Sequence, residues 1–460
     1  MRAAVVLAAG EGTGAWPYCG VRQKVTVPVI NEPLIRRLVR DLNALGIGEV
    51  VVVIGHRGEA VRACVADIEG VRFVEQPTRK GPVDAALRGL ADVRAEETVL
   101  CHGDIVTTQV VLADFLHAYD EAGGEPALLT TQGPGGPSHY ITVQSASDGF
   151  VTGIWGHGEE EAPRFAGVAA APTELLRRYL YRNPGIMDQV EIGAMPPVEG
   201  DVAHSFDHMR QDGIDVHAVP ASGFVVDVDR PWHIMEANYA AAQHWFETLE
   251  KTVIGQGASV DDGADIASDA KLYLEPGAYI GKGCHIGGSV ALGAGSQVVR
   301  GAILQGDTFV GARTECKDYC LISPGSVLGS RCIFGHGAEF DGVTFDTVYL
   351  WHYCEIAGLM GNNVDIGAAT VCGTLRFDNG VRIQNVRGHK ERPPRFGSST
   401  FIGDYCRTGV NVVFMPGIKV GAYSCIGAGA ILYEDVPERT LLIPKQEHIL
   451  KPWGPEKYGW

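Results

Sequence analysis

The stretch LAAGEGTGAWPY, residues 7–18, places Gly10, Gly12 and Gly14 within five residues, directly behind the apolar run RAAVV. One glycine suffices for a tight turn. Three alternating with small residues point to backbone N–H groups left open to something that must approach closely, and phosphate is the usual guest of such a loop. A second polar cluster, HGD at 102–104, also ends an apolar run, TVLC. If both runs are strands of one sheet, the glycine loop and Asp104 share an edge, and the expected chemistry is that of a locally held anion.

The elements that must position these residues can be read up to about residue 245. Short β-branched runs alternate with helical patterns in the order AAVVL, PLIRRLVRDLNAL, EVVVVIG, EAVRACVADI, VRFVEQ, PVDAALRGLAD, TVLCHGD. Strand, helix, strand in that order predicts an α/β, Rossmann-like unit with right-handed crossovers and a mostly parallel sheet covered on both faces. Ligands of such sheets lie beyond the carboxyl ends of the strands. The glycine loop and HGD both fall there.

Beyond residue 250 the helical periodicity stops and an aliphatic-glycine pair recurs, among other places at Ile280, Ile286, Leu292, Val310, Leu328, Phe334, Ile402, Val420 and Ile426. Steps of six make one short strand and a turn, and steps of eighteen make a three-sided coil. The pattern predicts a left-handed parallel β-helix of hexapeptide repeats. The chain is therefore divided into an α/β domain (1–245), a β-helix (246–440) and an aperiodic tail (441–460). One polar, basic stretch, FDNGVRIQNVRGHKERPPR, breaks the rhythm and is expected to be a loop thrown out from the coils.

Composition narrows the partners. With 38 Lys and Arg against 55 Asp and Glu, the formal charge is −17, which argues against a general nucleic-acid surface. No apolar run approaches the ~18 residues of a membrane span, and Met1 to Ala9 is too short for a secretory leader. A cytoplasmic protein without membrane or nucleic-acid partners is expected. The eleven cysteines form no CxxC pair and are expected to be small buried thiols.

The segments LAAGEGTGAWP, QKVTVPVINEPLI with Lys24, VEQPTRKGPVDAAL with Gln76 and Gly81, HGD, and DVDRPWHIMEAN at 227–238 follow one another in a familiar order and spacing. In this they resemble the sugar-1-phosphate nucleotidylyltransferases. With a hexapeptide β-helix behind them, the resemblance narrows to bifunctional enzymes similar to glucosamine-1-phosphate uridylyltransferase/acetyltransferase. LRFDNGVRIQNV and FIGDYCRTGVNVVFMPGIKVGAY look particularly like the archaeal-type sugar-1-phosphate nucleotidylyltransferase/amino-sugar acetyltransferases.

The resemblance implies a nucleoside triphosphate and a sugar 1-phosphate as partners, with pyrophosphate leaving. It implies that the nucleotide meets Leu7, Ala8, Ala9, Gly10, Glu11, Gly12, Thr13, Gln76 and Gly81, that Lys24 reaches a phosphate, and that Asp104 and Asp227 hold Mg²⁺. Asp229 is the alternative ligand if the local register shifts by two. Three departures stand out. Gly14 occupies the place of the family's phosphate-covering arginine, Gln23 that of a proline, and the family's Glu-Lys-Pro segment is missing from GIWGHGEEEAPRFAGV. Arg22 is the nearest cation in sequence to cover the leaving pyrophosphate, and His139 or Arg164 would have to hold the sugar phosphate.

For the β-helix the resemblance implies acetyl-CoA as a co-substrate and a histidine base, for which His352 is the candidate. Ungapped alignment instead puts Trp351 at the histidine position, Cys354 at the tyrosine, Thr374 at the asparagine and Arg382 at a lysine. Assembly into a homo-oligomer, a trimer or a multiple of it, is the competing role for this half. Two further alternatives stay open: a regulatory subunit that binds nucleotide without turnover, and an acetyltransferase carrying a relic nucleotide domain.

Overall fold

The computed structural model describes residues 1–132, 141–156, 162–183 and 200–457. The valine-rich runs form β1 (Arg2–Ala8), β2 (Glu49–Ile54), β3 (Val71–Glu75) and β4 (Glu97–His102), parallel in the order β3-β2-β1-β4. A longer strand, β5 (Arg164–Pro172), runs antiparallel beside β4, with Val168 opposite Cys101. These strands read as continuous apolar text because helices cover both faces. Ala4, Val6, Val50 and Val52 pack under Leu38 and Val39, whereas Ala3, Val5, Val51 and Val53 pack under Ala86 and Leu90. At the carboxyl edge the N–H of Gly103 donates to the Leu7 carbonyl at 2.8 Å and that of His56 to Ala9 at 3.2 Å. The glycine loop therefore leaves the sheet beside both neighbouring strand ends.

The second half is a left-handed parallel β-helix. Its inward ladder runs Ile280, Val298, Cys316, Phe334, in steps of eighteen. The repeat then shortens. Phe334 pairs with Leu350 and Leu350 with Ile366, two coils of sixteen. The cause is a strand that does not stop at its corner: Glu339–Thr344 pairs with Leu321–Ile322 through Phe340 and with Val327 through Val343, so one strand serves two faces and the corner residues are dispensed with. Cys316, Cys320 and Cys332 lie in the coil interior, and all eleven thiols are free.

The basic insertion is more ordered than a loop thrown outward. Gln384–Val386 and His389–Glu391 form an antiparallel hairpin that lies against the coils. Buried Gln384 fastens it, donating through Nε2 to Gly397 O at 2.7 Å and Gly417 O at 3.0 Å and accepting from the Lys419 ammonium at 2.7 Å. A buried lysine needs such acceptors, and the insertion supplies them.

The two halves share an apolar core. Helix Pro231–Thr248, started by proline at its first turn, contributes Trp232, Met235 and Ala241 to a cluster with Val327, Val343, Phe345, Leu359 and Phe401 of the coils. Tyr18, fully buried, meets the Phe345 ring edge-on and donates from its hydroxyl to Leu359 O at 2.6 Å. In the tail Trp453 is exposed, while Tyr458 and Trp460 lie outside the described residues. No described helix is long and apolar enough to cross a membrane.

Candidate functional site

Gln23, in the place of a proline, clamps the glycine loop. Its Nε2 donates to Ala8 O at 3.0 Å and Gly10 O at 2.8 Å, and its Oε1 accepts from the Val25 N–H. Lys24 follows in a single 3-10 turn, its stem running under the loop. Gly12 has φ +65°, and a Cβ there would stand 2.5 Å from the Lys24 Cβ, so both the backbone conformation and the close approach require glycine. Gly10 has nothing within 4 Å of its missing side chain and faces open space.

The Lys24 ammonium lies 2.5 Å from Asp104 Oδ2 and 2.5 Å from Asp229 Oδ1. Asp104 comes from the turn after β4. Asp227 is brought to it by a two-residue ladder, Val226–Asp227 against Ile105–Val106, which pairs Asp227 with Ile105. The carboxylates of Asp104, Asp227 and Asp229 all lie within 4.8 Å of one another. The two aspartates that sequence left as alternatives thus belong to one cluster.

Electrostatics follow from one cation among three acids. Burial acts to lower the Lys24 pKa, but Asp104 and Asp229 override it and hold the ammonium above the ordinary lysine range. Burial pushes Asp227 well above the carboxylate range, with Asp229 and Asp104 adding to the effect. Half-buried Asp229 is desolvated as well, yet Lys24 holds it below that range. Burial lowers His233 to about 3, so its ring is neutral and its Nδ1 accepts the Asp229 N–H at 3.3 Å. Asp104 Oδ1 is buried without a hydrogen-bond partner. Convergent carboxylates with an unsatisfied oxygen are the donor set a hard divalent cation takes, so the cluster fits one.

Several expected residues have other partners. Lys24 pairs with Asp104 and Asp229 because the neighbouring acids require a counter-charge. Arg22 points away from the loop: its guanidinium pairs with buried Asp404 of the β-helix and lies 4.6 Å over the Phe345 ring. An arginine already neutralised at the junction does not cover the loop, and the expectation for Arg22 is withdrawn. Gln76 donates to Gly81 O at 3.1 Å and Asp84 Oδ2 at 2.9 Å, tying β3 to the start of helix Gly81–Leu90. The Glu11 side chain turns to Arg79. Arg164 lies close enough to Asp227 to favour its ionised form, and His139 is outside the described residues.

On the β-helix, His352 is an exposed corner residue with φ +57°, its Nδ1 2.5 Å from His336 Nδ1. Cys354, at the family's tyrosine position, is instead buried in the coil and donates to Trp351 O at 2.8 Å.

Sequence reading missed Arg230 and Glu391. The Arg230 guanidinium donates through Nε and Nη2 to the Glu391 carboxylate at 2.8 and 2.9 Å and through Nη1 to Asp229 O at 3.0 Å. Its Nη1 stands 2.5 Å from where a Gly14 Cβ would be. The only hint in the text is that arginine directly follows Asp229; nothing local links it to Gly14, and nothing links either to the insertion. A cavity of about 470 Å³ opens beside this contact, lined among others by Thr13, Gly14, Trp16, Arg57, Arg387 and Lys419.

Two family models match parts of the chain. Residues 4–154 match the family model of the MobA-like NTP transferase domain, and residues 399–433 match that of the bacterial transferase hexapeptide. The chain is 24% identical over 452 residues to a "Bifunctional protein GlmU" of Methanococcus vannielii, covering 97% of this chain and 99% of that one. It is 25% identical over 441 residues to a "Bifunctional sugar-1-phosphate nucleotidylyltransferase/acetyltransferase" of Sulfurisphaera tokodaii, covering 94% and 98%. Among solved structures, a UDP-glucose pyrophosphorylase from Acinetobacter baumanii matches 54% of this chain and 95% of its own at 18% identity and a TM-score of 0.43. Over nearly its whole length, the chain is similar to curated proteins that carry the names of bifunctional sugar-1-phosphate nucleotidylyltransferase/acetyltransferases.

Proposed function

We propose that this protein transfers a nucleotidyl group from a nucleoside triphosphate to a sugar 1-phosphate, releasing pyrophosphate, with Mg²⁺ as its cation. The observation that carries the reading is the convergence of the glycine loop, Lys24 and the three aspartates at one carboxyl edge of a parallel sheet. In this reaction a sugar-phosphate oxygen attacks the α-phosphorus and the bond to the leaving pyrophosphate breaks. The protein's task is to align two anions and neutralise their charge.

In this reading the backbone amides of residues 7–13, held in place by Gln23, receive the triphosphate, and Lys24 exchanges a carboxylate partner for a phosphate oxygen. Asp104 and Asp227 would hold the cation, with Asp229 beside them. When bound, Mg²⁺ supplies the positive charge that lets phosphates lie against carboxylates. The β-helix is assigned assembly into a trimer, since stacked coils present extended flat faces. The His336–His352 contact is the feature that favours an added acetyl transfer from acetyl-CoA, with His352 as base.

The test is pyrophosphate release from a panel of five triphosphates paired with common hexose and hexosamine 1-phosphates, with and without Mg²⁺. Release that requires a sugar phosphate and the cation is expected. No release from any pair, together with retained nucleotide binding, would replace the enzyme reading with that of a regulatory subunit. Thiol release from acetyl-CoA with an amino-sugar phosphate, lost in His352→Ala, tests the second activity.

A further inference from the structure

The cavity of about 470 Å³ beside the glycine loop is walled by both halves of the chain. Thr13 and Gly14 of the loop and Arg57, in the turn after β2, supply one part of the wall; Asn385 and Arg387 of the inserted hairpin, with Glu438 near the end of the coils, supply another. Its volume is that of a small-molecule site. Among the described residues that line it there is neither Lys24 nor any of the three aspartates, nor Gln76 or Gly81. It is thus a space apart from the aspartate cluster, although it touches the same loop.

Two arginines with strained backbones line this cavity, one from each half. Arg57 has φ +51° and Arg387 φ +53°, in the left-handed region that residues with a Cβ avoid. Arg387 and Gly388 form the two-residue turn between the paired Val386 and His389, whose first place ordinarily goes to asparagine, aspartate or glycine. An arginine there costs stability, and strain of this kind collects where a side chain has a task. Among the described residues no carboxylate pairs with either guanidinium. Arg57 donates to Gly20 O, to Val21 O at 3.0 Å and to His56 Nε2 at 3.2 Å, leaving further N–H groups of its fork for a ligand. Two other charges of the wall are already neutralised, Lys419 by Asp435 and Glu11 by Arg79. In a chain of net charge −17, two guanidinium groups without an acid at one cavity mark a place for an anion.

We propose that the cavity binds a sugar phosphate, with its phosphate held by Arg57 and Arg387, and that the bound molecule clamps the two halves together beside the glycine loop. The phosphate follows from the two planar forks, whose N–H groups match phosphate oxygens. The sugar follows from the rest of the wall. Glu438 makes no ion pair among the described residues; it repels a bare anion but accepts from hydroxyl groups, and Thr13 and Asn385 offer further hydrogen bonds. Trp16 adds an apolar ring against which a sugar can lie. This site does not rest on the nucleotidyl-transfer reading, since none of its residues belongs to the carboxylate cluster. The inserted hairpin thereby acquires a role that the coil repeat itself does not need.

The experiment is calorimetry on the full-length chain with glucose 6-phosphate, whose phosphate is not the anomeric one, and with inorganic phosphate and glucose as the other arms. Glucose 6-phosphate should bind, inorganic phosphate should bind about tenfold more weakly or worse, and glucose should not bind. Inorganic phosphate binding as tightly as the sugar phosphate would overturn the sugar and leave the anion; no binding of either overturns the site. Arg387→Asn puts a residue suited to the turn in place of the strained one, so its unfolding midpoint without ligand should be no lower than that of the wild type. Its affinity for glucose 6-phosphate should nonetheless fall about tenfold or more, the scale of losing a charge-assisted hydrogen bond, and Arg57→Gln should lose as much. A folded Arg387→Asn with wild-type affinity overturns the assignment. Hydrogen exchange locates the probe: glucose 6-phosphate should slow the amides of residues 11–20 and of residues 385–391 together. Slowing around residues 76–84 and 102–104 instead would put the probe in the transfer site and overturn the separate cavity site, and slowing in one half alone would refute the clamp.

Discussion

Lys24 shows how one side chain is read differently in sequence and in space. From the text it is a phosphate ligand; in the fold it is also the counter-charge of Asp104 and Asp229. Both roles make one prediction. Lys24→Met should weaken triphosphate binding by roughly 1–3 kcal/mol, the range for losing a charge-assisted hydrogen bond, as read by calorimetry. It should also leave three acids unbalanced, so thermal unfolding should fall without Mg²⁺ and recover more strongly with it than in the wild type. Unchanged affinity for every triphosphate would remove Lys24 from the site. Neither role of Lys24 depends on which aspartate, Asp227 or Asp229, takes the cation.

At the level of elements, the inserted hairpin matters more than its polar, aperiodic sequence suggests. Gln384 is its anchor because its amide serves Gly397 O and Gly417 O and its carbonyl accepts from Lys419 Nζ, which also meets Asn385 O and Asp435. Gln384→Leu keeps the volume and removes those partners, and should cost about 1–3 kcal/mol, seen as a lower unfolding midpoint and as faster amide exchange around residues 384–391 and 417–419. The ordinary coils respond differently. Phe334, fully buried and 5.4 Å from the Phe340 ring, fills the coil interior just where the repeat shortens to sixteen. Its replacement by alanine should cost about 3–5 kcal/mol through the cavity left behind, with melting of the neighbouring coils and little change in the distant sheet.

For the whole molecule, the junction decides whether the halves can be parted. Tyr18, Val27, Leu34, Trp232 and Met235 are buried with Val327, Phe345, Leu359 and Phe401 across the chain, and a fragment of residues 1–250 would present that apolar face to water. Such a fragment should self-associate and bind a hydrophobic dye, as measured by sedimentation and fluorescence. A stable, dye-silent monomer would mean that the junction is dispensable. The same junction uses Arg22 and Asp404, which is why the cation nearest the loop in sequence is spent on holding the halves together.

The sequence by itself determined what repeats and what is local. Alternating runs with both faces apolar gave the parallel sheet, the six- and eighteen-residue steps gave the coils, and the glycines behind RAAVV marked the turn at the sheet's carboxyl edge, because periodicity and backbone freedom are properties of neighbouring residues. Only the tertiary structure decided who stands beside whom. It joined Asp104, Asp227 and Asp229 through a two-residue ladder, turned Arg22 to the β-helix, and set Arg230 in the space that Gly14 leaves open, with Glu391 behind it. Those contacts join residues far apart in the chain, each carrying no local pattern. They follow from how sheet, helix and coils pack against one another, which no single stretch of the text encodes.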